Sequence, residues 1–164
     1  RSIHAGGSTV ETSTYDSIEW ANPPARFEGG LGNFSGMAAT GAAIEYLSNI
    51  NLDDVLEHEV RLNQIMTDEI KDLPNIEVIG PLDASKRGGI CSILMGEIPI
   101  HDIAILLDEA AGVMVRSGQH CVHSWFNSRG HQNGSLRASA YLYNTEEEAR
   151  LFAETFAEAV HAFS

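Results

Sequence analysis

The chain has 164 residues, 43% of them hydrophobic and 20% charged, the balance of one folded domain with a sizeable core, which excludes a disordered chain. Asp and Glu number 23 against 10 Lys and Arg, a formal charge of -13, and no basic stripe runs along the sequence for a phosphate backbone to track, so nucleic acid is set aside as a partner. No apolar run approaches the roughly 20 residues of a membrane span and the first residues lack the apolar centre of a signal peptide, so the expectation is a cytoplasmic protein with no membrane partner.

Residues 1–35 are punctuated by Gly6-Gly7-Ser8-Thr9, Asn22-Pro23-Pro24 and Gly29-Gly30-Leu31-Gly32-Asn33, which break helices and leave room for short strands at Thr9–Thr14 and Ser17–Trp20. So long an irregular lead, opening on Arg1, reads as the end of something larger. From Ser35 an alanine-rich stretch through Leu47 predicts a helix whose small residues suit close approach to a neighbour. Asn51 to Asp54 cap a second helix, with Leu56, Val60, Asn63, Ile65, Met66 and Ile70 recurring at near-helical spacing before Pro74.

Ile76–Ile79 and Ile90–Met95 read as strands, which puts Cys91 in a sheet as a small apolar residue. Pro99 to Ala111 forms a helix stopped by Gly112. A strand is predicted over Val113–Arg116, then a loop from Ser117 to Gly134, then a strand over Ser135–Tyr141. Thr145-Glu146-Glu147-Glu148 is a capping box ahead of a last helix carrying Leu151, Phe152, Phe156, Ala159, Val160 and Phe163. The order predicts an α+β fold, a small, mainly antiparallel sheet packed with helices on one side.

Two cysteines make no disulfide framework, and each is expected as a free thiol. Cys121 lies in the polar loop behind Arg116 and His120, whose positive field would favour a thiolate over a thiol of pKa about 8.5. From spacing alone it reads equally as an ordinary loop cysteine. His120, Cys121, His123 and His131 lack the spacing that converges on a tetrahedral ion, so no metal site is expected. Arg137 stands among Leu136, Ala138 and Ala140. Its planar fork suits a carboxylate, either one of the many Asp and Glu side chains or a substrate. Gly29 to Gly36 has the form of an anion-binding turn before a helix, without a P-loop's lysine.

These segments resemble a known family. Arg116-Ser117-Gly118-Gln119-His120-Cys121 is similar to the Arg-x-Gly-x-His-Cys segment of SUF-type (group II) cysteine desulfurases and selenocysteine lyases, in the class V aminotransferase superfamily. Leu136 to Glu148 resembles that family's Arg-Ala-Ser-x-x-x-Tyr-Asn-Thr-x-Glu-Glu ending. Pro24 to Gly36 resembles its Pro-x-Arg-Phe-Glu-Ala-Gly-Thr-Pro-Asn stretch, and Gly6-Gly7 its glycine-rich strand entry.

The resemblance implies the C-terminal part of a fold type I, pyridoxal-phosphate-dependent transferase. Residues 1–35 would be the tail of the large cofactor-binding domain, and 36–164 the small domain with its bridging helix. It further implies Cys121 as the nucleophile that takes sulfur from L-cysteine, leaving a persulfide and L-alanine, with Arg137 and Arg116 binding substrate and His120 tuning the loop. Gly30 and Leu31 would form a turn facing the cofactor phosphate of a partner subunit in a homodimer, and a sulfur-acceptor protein for iron-sulfur assembly would follow. Leu31 stands where the family has Thr, and Val122-His123-Ser124 where it has Ala-x-Pro. The family anchors its cofactor on a lysine in a His-Lys context that neither Lys71 nor Lys86 has, so the isolated chain is expected to be inactive. The alternatives are another class V reaction, in which Cys121 is dispensable, and a non-catalytic sulfur carrier.

Overall fold

A computed structural model describes residues 6–163, so any expectation resting on Arg1–Ala5 lies outside the described residues. The chain forms two compact units that meet between Ile50 and Asn51, after the first long helix.

In the first unit, strands β1 (Val10–Ser13) and β2 (Ile18–Trp20) pair antiparallel as a hairpin, with one turn of 3-10 helix at Ala25–Phe27. Thr9 is fully buried, and its hydroxyl donates to Gly6 O at 2.7 Å. Helix α1 spans Phe34–Ser48 and has no buried residue. Its large side chains Phe34, Met37, Ile44 and Tyr46 are all exposed.

In the second unit, helix α2 (Leu52–Ile70) starts at Asn51, whose side chain accepts from Asp53 N at 3.1 Å, with Asp53 and Asp54 set against the positive helix end. Leu62, Met66 and Ile70, four residues apart, form its buried stripe. Strands β3 (Glu77–Val78), β4 (Ile90–Leu94), β5 (Arg116–Gly118) and β6 (Ser135–Ser139) make an antiparallel sheet in the order β3-β4-β6-β5. Helix α3 (Ile100–Ala111) ends on Gly112 in the left-handed region, φ 65°, as its stop signal requires. Helix α5 (Glu146–Ala162) has its capping box formed in both directions, Thr145 Oγ1 accepting from Glu148 N and Glu148 Oε2 from Thr145 N.

One sheet face, Cys91, Ile93, Leu136 and Ala138, is buried against α2, α3 and α5, where Phe152 and Phe156 stack at 5.6 Å. Burial of each such large apolar side chain contributes about 1.5–3 kcal/mol before entropy is counted. The α+β arrangement of a small antiparallel sheet packed with helices is as the sequence predicts.

Two local expectations are corrected. The strand after α3 does not start at Val113. Residues Val113 and Val115 pack on the core from the approach to the ladder, and pairing with β6 begins only at Arg116. The loop from Ser117 to Gly134 also holds a short helix, α4 (His123–Ser128).

Candidate active site

Strand alternation decides what faces the open side of the sheet. With Leu136 and Ala138 turned to the core, Arg137 between them must face the other way. Its cross-strand partners are Ser92 on β4 and Arg116 on β5, and directly opposed residues share a face. Two guanidiniums therefore stand side by side on the face turned away from α2, α3 and α5. Among the described residues neither has a carboxylate within ion-pair distance, although four other basic side chains do. Arg137 Nε is buried and unpartnered. The structural pairing that composition favours for Arg137 is absent.

From β5 the chain enters a loop whose two ends touch. A Cβ on Gly134 would lie 2.3 Å from the Gly118 carbonyl carbon and oxygen, and both glycines have positive φ. Gln119 Nε2 reaches across to donate to Gln132 O at 2.7 Å and to Asn127 Oδ1 at 3.2 Å, and Val122 N donates back to Gln119 O at 2.8 Å. In the middle of β5, Ser117 Oγ lies 2.6 Å from His101 Nδ1. Gly134→Ala should cost the protein at least ~2 kcal/mol, strain plus backbone overlap, in denaturant unfolding of the full-length chain. Gly130→Ala should cost about half as much, because Gly130 has the same sign of φ (+77°) but open space around its missing Cβ. Equal losses would refute the close-contact account.

Within this clasp His120 and Cys121 both adopt left-handed backbone, φ 48° and 62°. Each costs on the order of 1 kcal/mol for a side-chain-bearing residue, so the surroundings must enforce the turn. The clearest restraint is His120, whose Nε2 lies 3.1 Å from Ser135 O and 3.0 Å from Ser135 Oγ. A carbonyl only accepts, so Nε2 carries the proton and Nδ1 keeps the lone pair, which is buried without a partner. Burial lowers the His120 pKa from its ordinary value, and the Arg137 and then the Arg116 guanidinium add to this. The Ser135 backbone opposes them. The imidazole is therefore neutral at pH 7. A neutral His120 brings no positive charge to the loop beside Cys121.

The turn leaves Cys121 exposed, whereas Cys91 is fully buried with its thiol pKa raised by desolvation. Of the site residues named from sequence, Arg116, His120, Cys121 and Arg137 come together at the β5–β6 edge. Gly30 and Leu31 belong to the first unit. There Gly30 has φ 90° and its N–H donates to Gly7 O, Leu31 is 93% exposed, and Asn33 Oδ1 accepts from Gly36 N, satisfying one donor of the presumed anion turn from within the chain. Sequence reasoning missed Ser135, Gln119 and His101. The Gly118/Gly134 pair, once read as a crossing of strand ends, is the signal that would have found the first two.

Lysines capable of holding a carbonyl cofactor are not part of this constellation. Lys71 Nζ is 2.6 Å from Asp68 Oδ1 at the end of α2, and Lys86 Nζ is 3.4 Å from Asp83 Oδ2 in a one-turn helix. Neither lies on β4, β5, β6 or the clasped loop. The residues present thus fit a carboxylate and a sulfur atom, and do not fit covalent attachment of pyridoxal phosphate. No three His, Cys, Asp or Glu side chains among the described residues converge as metal ligands. No helix among them is long and apolar enough to cross a membrane.

Comparison with known proteins gives this geometry a family. A "Probable cysteine desulfurase" of Streptomyces coelicolor is 36% identical over 143 residues, 87% of this chain and 34% of its own length. A cysteine desulfurase of Haloferax volcanii is 33% identical over the same share of this chain and 33% of its own. The apo structure of cysteine desulfurase from Thermococcus onnurineus NA1 superposes with a TM-score of 0.82 at 32% identity, covering 98% of this chain and 39% of that one. An Escherichia coli cysteine desulfurase, recorded as its S-sulfonic acid, shares the fold at TM-score 0.83 and 22% identity. The chain thus spans between a third and two-fifths of the length of these relatives. The aminotransferase class-V family model matches residues 1–152, and by this match, by its relatives and by its fold the chain belongs to that family.

Proposed function

We propose that these residues are the sulfur-accepting part of a pyridoxal-phosphate-dependent cysteine desulfurase of the SUF type, with 1–35 the tail of the large cofactor-binding domain and 36–164 the small domain with α1 as its bridging helix. The observation that carries this reading is an exposed thiol on an enforced left-handed turn, in the loop that leaves the strand of Arg116, which stands opposite Arg137; among the described residues neither guanidinium has a carboxylate partner. Pyridoxal phosphate, bound in the whole enzyme, supplies an electron sink at the substrate amino group. Its anchoring lysine belongs to the part of the relatives' length that this chain does not span.

Each residue then has one task. Arg137 grips the carboxylate of L-cysteine, its buried Nε having no partner among the described residues. Arg116, directly opposite it in the ladder, adds positive potential on the same face of the sheet. The Cys121 sulfur attacks the substrate sulfur. A sulfur-sulfur bond forms as the substrate's carbon-sulfur bond breaks, and the carbon fragment keeps the electron pair, takes up a proton and leaves as L-alanine. Neutral His120 donates to Ser135 and fixes the turn. Gly30 and Leu31 face the cofactor phosphate of a second subunit in a cytoplasmic homodimer, and the persulfide sulfur passes to an acceptor protein for iron-sulfur cluster assembly.

The test is intact-mass analysis of the full-length protein after incubation with L-cysteine, with alanine measured in parallel. One added sulfur on Cys121 per alanine is expected, and alanine without sulfur on Cys121 would sink the assignment. The isolated 164 residues should show no internal-aldimine absorbance after purification. A lysine-linked pyridoxal phosphate band in that spectrum would show that the chain anchors the cofactor itself.

A further inference from the structure

The chain's charge is segregated around Cys121. Residues 110–145 contain Arg116, Arg129 and Arg137 with His120, His123 and His131, and not one of the 23 Asp and Glu residues. The lysines and arginines that the structure places in ion pairs, Arg61, Lys71, Lys86 and Arg150, all lie outside this stretch. On a chain of formal charge -13, three arginines that have no carboxylate partner among the described residues make a surface prepared for an anionic neighbour.

Helix α4 gives that surface a shape. It follows Cys121 directly through the exposed Val122, and is pinned by Phe126, which is 3% exposed and whose carbonyl accepts from His131 N. The Arg129 guanidinium lies 4.3 Å from the centre of the Trp125 ring, and Trp125 in turn meets Phe126 edge-on at 5.0 Å. Stacking orders the exposed Arg129 and leaves its edge N–H groups free, the arrangement that receives a carboxylate bidentately. The loop's far end differs, since Glu77 and Glu97 line one cavity with His131. The cationic side is therefore the side of Val122, His123 and Arg129.

We infer that α4 and Arg129 form the docking surface for the sulfur-acceptor protein, and that this acceptor presents its thiol within an acidic surface. The inference rests on the persulfide role of Cys121 and adds the partner's chemistry. Transfer is a thiol exchange. The acceptor thiolate attacks the outer sulfur of the Cys121 persulfide, a new sulfur-sulfur bond forms, the old one breaks, and Cys121 leaves as thiolate with no net oxidation. Opposite charge across the surface speeds encounter and weakens with salt.

The test uses full-length protein loaded at Cys121 with inorganic polysulfide, which needs no desulfurase turnover. Two peptides of equal length, each with one cysteine, flanked by glutamates or by lysines, serve as acceptors. Each rate is divided by that peptide's rate with an uncharged small disulfide, which removes the difference in thiol pKa. The glutamate peptide should react roughly tenfold faster at low salt, and Arg129→Glu should abolish or invert the preference while loading is unchanged. Equal rates, a faster lysine peptide, or a preference that survives Arg129→Glu would overturn the inference. Binding of the same peptides with serine in place of cysteine, read by fluorescence anisotropy, tests the surface alone. If Cys121 takes up no polysulfide while the acidic peptide still binds through Arg129, the persulfide reading fails and the docking surface stands.

Discussion

Cys121→Ala in the full-length enzyme is expected to lower cysteine-dependent sulfide release under reductant by on the order of 10²-fold or more, at least about 2.7 kcal/mol of transition-state stabilisation. The size follows from the site's composition. Among the described residues the other cysteine is Cys91, fully buried on the core face of the sheet, so within them no second thiol is placed to replace the first. Cys121→Ser keeps size and exposure but lacks an accessible anion near neutral pH, and should fall as far. Cys91→Ala should leave turnover within about twofold and instead cost core stability, about 1 kcal/mol for a small apolar group. Retained sulfide release in Cys121→Ala would move the chain to another class V reaction, in which this thiol is dispensable.

What could be read in advance follows the range of the forces involved. Helix α5 was legible because its start is fixed by Thr145 and Glu148 and its buried face by a spacing within the same segment. Helix α3 likewise carries its own stop in Gly112. Strand β5 was misplaced because Val113 and Val115 have the composition of a strand, whereas pairing is decided by β6, nearly twenty residues later, and by the Gly118/Gly134 crossing. Helix α4 left no signal. It has six residues, Val122 makes no side-chain cap, and the buried Phe126 that holds it has no periodic companion. At the site, the residue types at Arg116, Cys121 and Arg137 announced themselves. The neutrality of His120 depends on Ser135 and on two arginines brought near by the ladder, which no local pattern encodes.

Arg137 offers the sharpest separation of function from stability. Removal of a charge-assisted, bidentate grip on a carboxylate forfeits about 1.5–3 kcal/mol, so Arg137→Met should reduce kcat/KM for L-cysteine by roughly 10- to 150-fold, chiefly through KM. Arg137→Lys should recover little of this, because a point charge cannot reproduce the planar fork. For an arginine in a structural ion pair, the same substitution would also destabilise the fold. Here the reverse is expected. Arg137 is directly opposite Arg116 in the ladder, no described carboxylate balances the pair, and its Nε is buried without an acceptor. Like charges opposed on neighbouring strands cost roughly 0.2–1 kcal/mol. Thermal unfolding of substrate-free Arg137→Met should therefore match the parent protein or exceed it by up to about 1 kcal/mol, while activity collapses. A loss of stability equal to the loss in kcat/KM would make Arg137 a structural residue. The separation of the two would mark a cation held in an unfavourable place because the substrate's carboxylate is its missing partner.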